Sequence, residues 1–185
     1  MNQFNIRHFL TVFFVLLAGL TIANAQQPEQ QSSQQQMPAN GVTQAAIKSG
    51  VQTCAARINQ VTNFVGAGSQ VGSMLFVTPS NQDKQLISIS MEVAAKTQTD
   101  GKKVPVAYST ASFAPNQANG CGAVYDAIIY WDAKCDTVAT KRFGDMKKAR
   151  ALQKNITILE GKTPAKVFLM PAGNGCISIK KEVVL

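Results

Sequence analysis

The side chains best able to do chemistry cluster in one stretch, NGCGAVYDAIIYWDAKC, from Asn119 to Cys135. Cys121 and Cys135 bracket Tyr125, Tyr130 and Trp131, with Asp126 and Asp132 between them. Thiolates could do redox or metal chemistry, carboxylates could move protons, and the rings could stack on a sugar or peptide. Spacing argues against most of this. A dithiol redox centre needs a CxxC pair, and a four-cysteine zinc site needs two such close pairs. Cys54, Cys121, Cys135 and Cys176 contain neither. Asp132 and Asp136 are four apart, but no EF-hand spacing accompanies them, and such acids are normally solvated. No catalytic, cofactor-binding or metal-ligating residue is assigned.

Histidine is the next constraint. The only one, His8, lies in a segment that reads as a signal peptide. Arg7 precedes the apolar run FLTVFFVLLAGL, and Ala23-Asn24-Ala25 fits the small-x-small rule for cleavage before Gln26. The run is short for a membrane span, no later segment replaces it, and no cysteine follows the cleavage site to carry a lipid. Cleavage of residues 1–25 removes His8, and with it Ser-His-Asp, Cys-His and HExxH chemistry within one chain. Of 18 Lys+Arg only Arg7 is lost, against 10 Asp+Glu that all remain, so the exported chain is strongly basic.

Residues 26–41 form a glutamine-rich tract with two prolines, expected to be a disordered linker. Residues 42–185 should make a single α+β domain. In Val42–Val65, the residues Ile47, Val51, Cys54, Ile58, Val61 and Val65 recur at helical spacing, with Thr43 as a cap and Gly66 at the exit. Gly50 weakens its middle. Strands follow at 73–78, 85–95 and 104–113, with an Asp100-Gly101 turn, and Pro105 suggests that the third is an edge or bulged. In 85–95, Ile87, Ile89, Met91, Val93 and Ala95 share a face opposite Ser88, Ser90 and Glu92.

The cysteine-bracketed stretch admits two readings. As a strand, it divides apolar from polar residues poorly. As a helix from Gly122 to Phe143, it aligns Val124, Ile128, Trp131, Cys135 and Val138, and helix is the reading adopted. Asp145 then caps a short basic helix, MKKARALQ, before strands in NITILE, AKVFLM and CISIKKEVVL. The expected fold is two helices packed on antiparallel sheet in the order α-βββ-α-βββ. The halves share an order of elements, but too few residues match to infer duplication. Neither Gly66–Gly72 nor Gly161-Lys162-Thr163 has the context of a nucleotide loop.

An even cysteine count behind a signal peptide implies two disulfides. Cys121 and Cys135 should not pair, because 14 residues span about 21 Å as helix and roughly 45 Å as strand. A disulfide needs Cα atoms within about 7 Å. Two connectivities remain: Cys54–Cys135 with Cys121–Cys176, or Cys54–Cys121 with Cys135–Cys176. The first is preferred, because Cys54 and Cys135 both lie on apolar helix faces while Cys121 and Cys176 both follow Asn-Gly.

Lys141, Arg142, Lys147, Lys148, Arg150 and Lys154 form the densest basic run and are the candidate anionic-partner patch. Trp131 is expected in the core and Tyr130 on the surface. The reading that fits best is an exported, non-enzymatic binding or accessory protein of the bacterial envelope, periplasmic or secreted. Its expected partner is an envelope protein or an anionic envelope polymer. Nucleic acid is not expected, since export removes the usual targets and no recognition motif is present. Two other readings are a periplasmic inhibitor or immunity protein against a cell-wall-acting enzyme, and an envelope enzyme that works without histidine.

Overall fold

The computed structural model describes residues 38–99 and 101–185. The expected signal peptide, most of the glutamine-rich linker and Asp100 lie outside the described residues. The single helix expected over Val42–Val65 is two helices, α1 (Gly41–Lys48) and α2 (Ala55–Gly66). Gly50 ends the first, with φ of +87°, a left-handed conformation that glycine adopts at little cost. Its effect is larger than a weakened middle. The cap of α1 is Asn40, not Thr43: the Asn40 side chain accepts a hydrogen bond from the Thr43 amide at 2.9 Å. Thr43 sits one turn in, and its hydroxyl donates inward to Asn40 and Asn59. The Asn40 amide group also donates to Thr62 and Asn63, both at 2.8 Å, which ties α1 to α2. Val51, Cys54, Ile58 and Val61 from the expected stripe are buried despite the break.

The start of α2 is held from a distance. A 3-10 turn at Gln82–Lys84 presents Asp83, whose carboxylate accepts from the Thr53 and Gln52 amides and the Thr53 hydroxyl. Those hydrogen bonds hold its carboxyl below the usual range, the Thr53 amide contributing most.

The strands are β1 (Val71–Phe76), β2 (Ile87–Val93), β3 (Lys96–Thr97), β4 (Lys103–Val104), β5 (Ala107–Asn116) and β6 (Gly120–Trp131). Helix α3 (Cys135–Arg142) follows, then β7 (Lys147–Leu152), β8 (Ile156–Glu160), β9 (Lys166–Ala172) and β10 (Gly175–Val184). Eight of them make one antiparallel sheet in the order β1-β2-β5-β6-β10-β9-β8-β7, and β3 and β4 form a separate ribbon. The fold is α+β, with three helices on a large antiparallel sheet.

Two helical expectations are overturned. Gly122–Phe143 is not one helix: its first part is β6, and only Cys135–Arg142 is helical. β6 lies between β5 and β10 and hydrogen-bonds on both edges, a pairing that local periodicity does not register. Its Val, Ile, Tyr and Trp residues also favour strand. The segment MKKARALQ is the edge strand β7, every residue of which is exposed. The third strand begins at Ala107 and lies inside the sheet, so Pro105 falls in the link after β4, where no ladder bond is required.

The sheet divides into two four-stranded meanders, β1-β2-β5-β6 and β7-β8-β9-β10, each preceded by its helix and joined along β6–β10. Cys121 stands five residues before Asp126, and Cys176 stands five before Lys181, its partner across the seam. Each fourth strand opens with Asn-Gly-Cys, and each of those cysteines faces a proline: Cys121 faces Pro115, and Cys176 faces Pro171. The disulfides follow the same rule. Cys54 at the start of α2 bonds Cys121, and Cys135 at the start of α3 bonds Cys176. The preferred pairing of Cys54 with Cys135 is therefore wrong. It took the two helices to be stapled to each other, whereas each is stapled to the last strand of its own half. Each half has its own core, with Ile58, Ile89, Phe113 and Tyr125 in one and Trp131, Val138, Leu159 and Leu169 in the other.

Peptide mapping without reduction is expected to recover Cys54–Cys121 and Cys135–Cys176 and no crossed pair. Gly175→Ala should destabilise the fold by about 1–3 kcal/mol in a denaturant titration, because the added carbon would meet the Trp131 carbonyl and the Tyr130 ring.

Candidate functional site

Residues directly opposite each other in a sheet point to the same side. Trp131 lies opposite Cys176, and Cys121 alternates in phase with Trp131 along β6, so both disulfides lie on one face. α2 packs there over β5 and β6, and α3 over β9 and β10. Among the described residues, no helix packs on the opposite face.

That open face carries ordered rows across the strands. One row runs Glu92, Tyr108, Ile128, Ile179, Phe168, Ile158 and Arg150, each opposite the next. Beside it, Tyr130 lies opposite Ile177, which lies opposite Met170. Ile156 and Leu152, themselves a pair, extend this second row onto β8 and β7. Tyr108 is 50% exposed, Tyr130 49% and Leu152 47%, Ile128, Ile177, Ile179, Phe168 and Met170 are half-buried, and Ile158 is buried at 4%. The result is a two-row apolar band with no layer over it. On its other flank runs a charged row through Asp126, Lys181, Lys166, Glu160 and Lys147. Two ion pairs neutralise much of that row, Lys181 with Asp126 at 2.8 Å and Lys166 with Glu160 at 2.9 Å.

The basic run does not form one patch. Lys148 faces the helix side and pairs with Asp136 at 2.7 Å. The Arg142 guanidinium lies 4.8 Å from the centre of the Trp131 ring. Lys141 stays exposed on α3, and Lys154 sits in the β7–β8 turn. Lys147 and Arg150 are the two on the open face, at the β7 end of the band. Asp132 lies in the loop after β6 and Asp136 in the first turn of α3, so one helix does not align them.

The aromatic residues part company as well. Trp131 is 7% exposed and donates from Nε1 to the Ser178 hydroxyl at 2.7 Å. Tyr125 is buried and donates to the Glu182 carboxylate at 2.6 Å. Burial first, and then Glu182, push its phenol far above the ordinary range, so it stays neutral. Of the three rings between Cys121 and Cys135, only Tyr130 belongs to the open face. All four cysteines are in disulfides, leaving no thiol. Among the described residues, no three His, Cys, Asp or Glu side chains gather as a metal site, and no helix is long and apolar enough to cross a membrane.

Sequence reasoning missed Ile128, Ile177, Ile179, Phe168 and Met170 as surface residues. The signal was present: read as a strand, β6 is apolar on both faces, which is the pattern of a strand with a second apolar side. Comparison with protein-family models, characterised proteins and solved structures finds no match to this chain.

The Lys148 hydrogen bond, and then its charge, hold the Asp136 carboxyl below the usual range. The stabilisation this gives is present above the unfolded pKa and lost as pH falls through the folded one. An NMR titration should find Asp136 titrating below an ordinary aspartate, and Lys148→Ala should return it to the ordinary range.

Proposed function

We propose that this chain is an exported, non-enzymatic binding protein of a bacterial envelope that holds its partner on the open sheet face. The observation that carries the reading is the two-row apolar band, Tyr108, Ile128, Ile179 and Phe168 beside Tyr130, Ile177 and Met170, uncovered among the described residues. Contiguous exposed apolar surface on a soluble domain usually marks an interaction site. The face supplies shape and apolar area, and the carboxylates of Asp126 and Glu160 beside it are ion-paired, an arrangement suited to adhesion rather than bond-breaking. Export is supported by the N-terminal signal pattern and is compatible with two disulfides, which persist in oxidising compartments.

A photo-crosslinking residue at Phe168 tests this, with one at Thr137 on the exposed side of α3 as control. Envelope extracts should give a discrete adduct from the first position and none from the second, and the exported protein should begin at Gln26. Adducts confined to the helix side would refute the reading. So would hydrolysis of cell-wall material by the purified protein, if it were lost on substituting Asp132 or Asp136 with the fold intact.

A further inference from the structure

The shape and charge of the open face specify its occupant more closely. We propose that the partner element is an amphipathic α-helix lying along the apolar band, with acidic side chains at the end that reaches β7. This rests on the open face being the binding surface.

Three features carry it. The first is size. From β5 to β7 the band crosses about 24 Å at the usual strand spacing, and its two rows stand roughly 7 Å apart along the strands. A helix is about 10 Å across and rises 1.5 Å per residue, so roughly 16 residues would cover the band. The second is charge. The row begins at Glu92 and ends at Arg150, with Lys147 beside it. Both cations are exposed, and neither has an ion-pair partner among the described residues. Acidic residues on the occupant would meet them, and a helix C-terminus pointing the same way adds its dipole. The third is the count of available cations. Anionic lipid surfaces are read by clusters of about 4–8 lysines and arginines, whereas this face offers two, with Lys166 and Lys181 already paired. A second copy would bring the same excess of positive charge.

The exported protein is titrated with a labelled 16-residue peptide that carries an apolar stripe at helical spacing and glutamates near its C-terminus. The comparator is the same peptide with lysines in place of the glutamates. At low salt the acidic peptide should bind about tenfold more tightly, a margin consistent with two exposed ion pairs. Lys147→Glu with Arg150→Glu should invert that preference; both sites are exposed on an edge strand, and circular dichroism checks that the variant is folded. Phe168→Asp, checked for folding by circular dichroism, should abolish binding of both peptides.

Equal binding of the two peptides would overturn the proposal. So would capture only by phosphatidylglycerol vesicles, or a dimer in sedimentation that Phe168→Asp dissolves. A Phe168 crosslink to an envelope partner without the peptide preference sinks the helix and leaves the open-face reading standing. Absence of both crosslink and peptide binding sinks the two together.

Discussion

The structure depends on the pairing of β6 with β10. Along this seam the main chains of two four-stranded meanders hydrogen-bond over most of the length of both strands. Without it each half would keep its helix and disulfide but expose a long inner edge. An unpaired edge of that length invites wrong partners. The seam also sets the polar groups that hold the centre. Asp126 and Lys181 meet near its middle on the open side. On the helix side, Tyr125 donates to Glu182, while the Lys180 ammonium lies 5.5 Å from the Tyr125 ring and pairs with Glu182 at 3.4 Å. Side-chain contacts therefore cross the seam on both sides of the sheet.

Much of this was legible in the residues. The alternation of Ile87, Ile89, Met91 and Val93 marks β2, and the three C-terminal strands fall where their period-2 runs place them. What was not legible depends on neighbours in space. Val124, Ile128 and Trp131 fit a helical stripe as well as a strand, and only the β5 and β10 ladders decide between them. Lys147, Lys148 and Arg150 look like a basic helix because a solvated edge strand leaves no period-2 trace when every residue is exposed. The disulfide preference failed on the same point, since it compared faces of helices without knowing which strands lay beneath them.

The candidate site shows the limit most clearly. A sheet covered on one side normally reads apolar inward and polar outward. Here β6, β9 and β10 carry Ile, Phe, Met and Tyr outward as well, so the usual pattern is blurred where the surface is most informative. Two of the six residues in the basic run that drew notice from sequence charge are held in internal contacts, Lys148 with Asp136 and Arg142 against Trp131. Only Lys147 and Arg150 are left to shape the open face.

The order of the cysteines carries one further consequence. Each disulfide joins neighbours in chain order, first with second and third with fourth. For a chain that enters an oxidising compartment N-terminus first, the first thiol available to Cys54 is its own partner. Cys135 then meets only Cys176, once Cys121 is taken. Oxidation in order of arrival yields the native bonds directly, and the slow thiol exchange needed to undo crossed pairs becomes unnecessary.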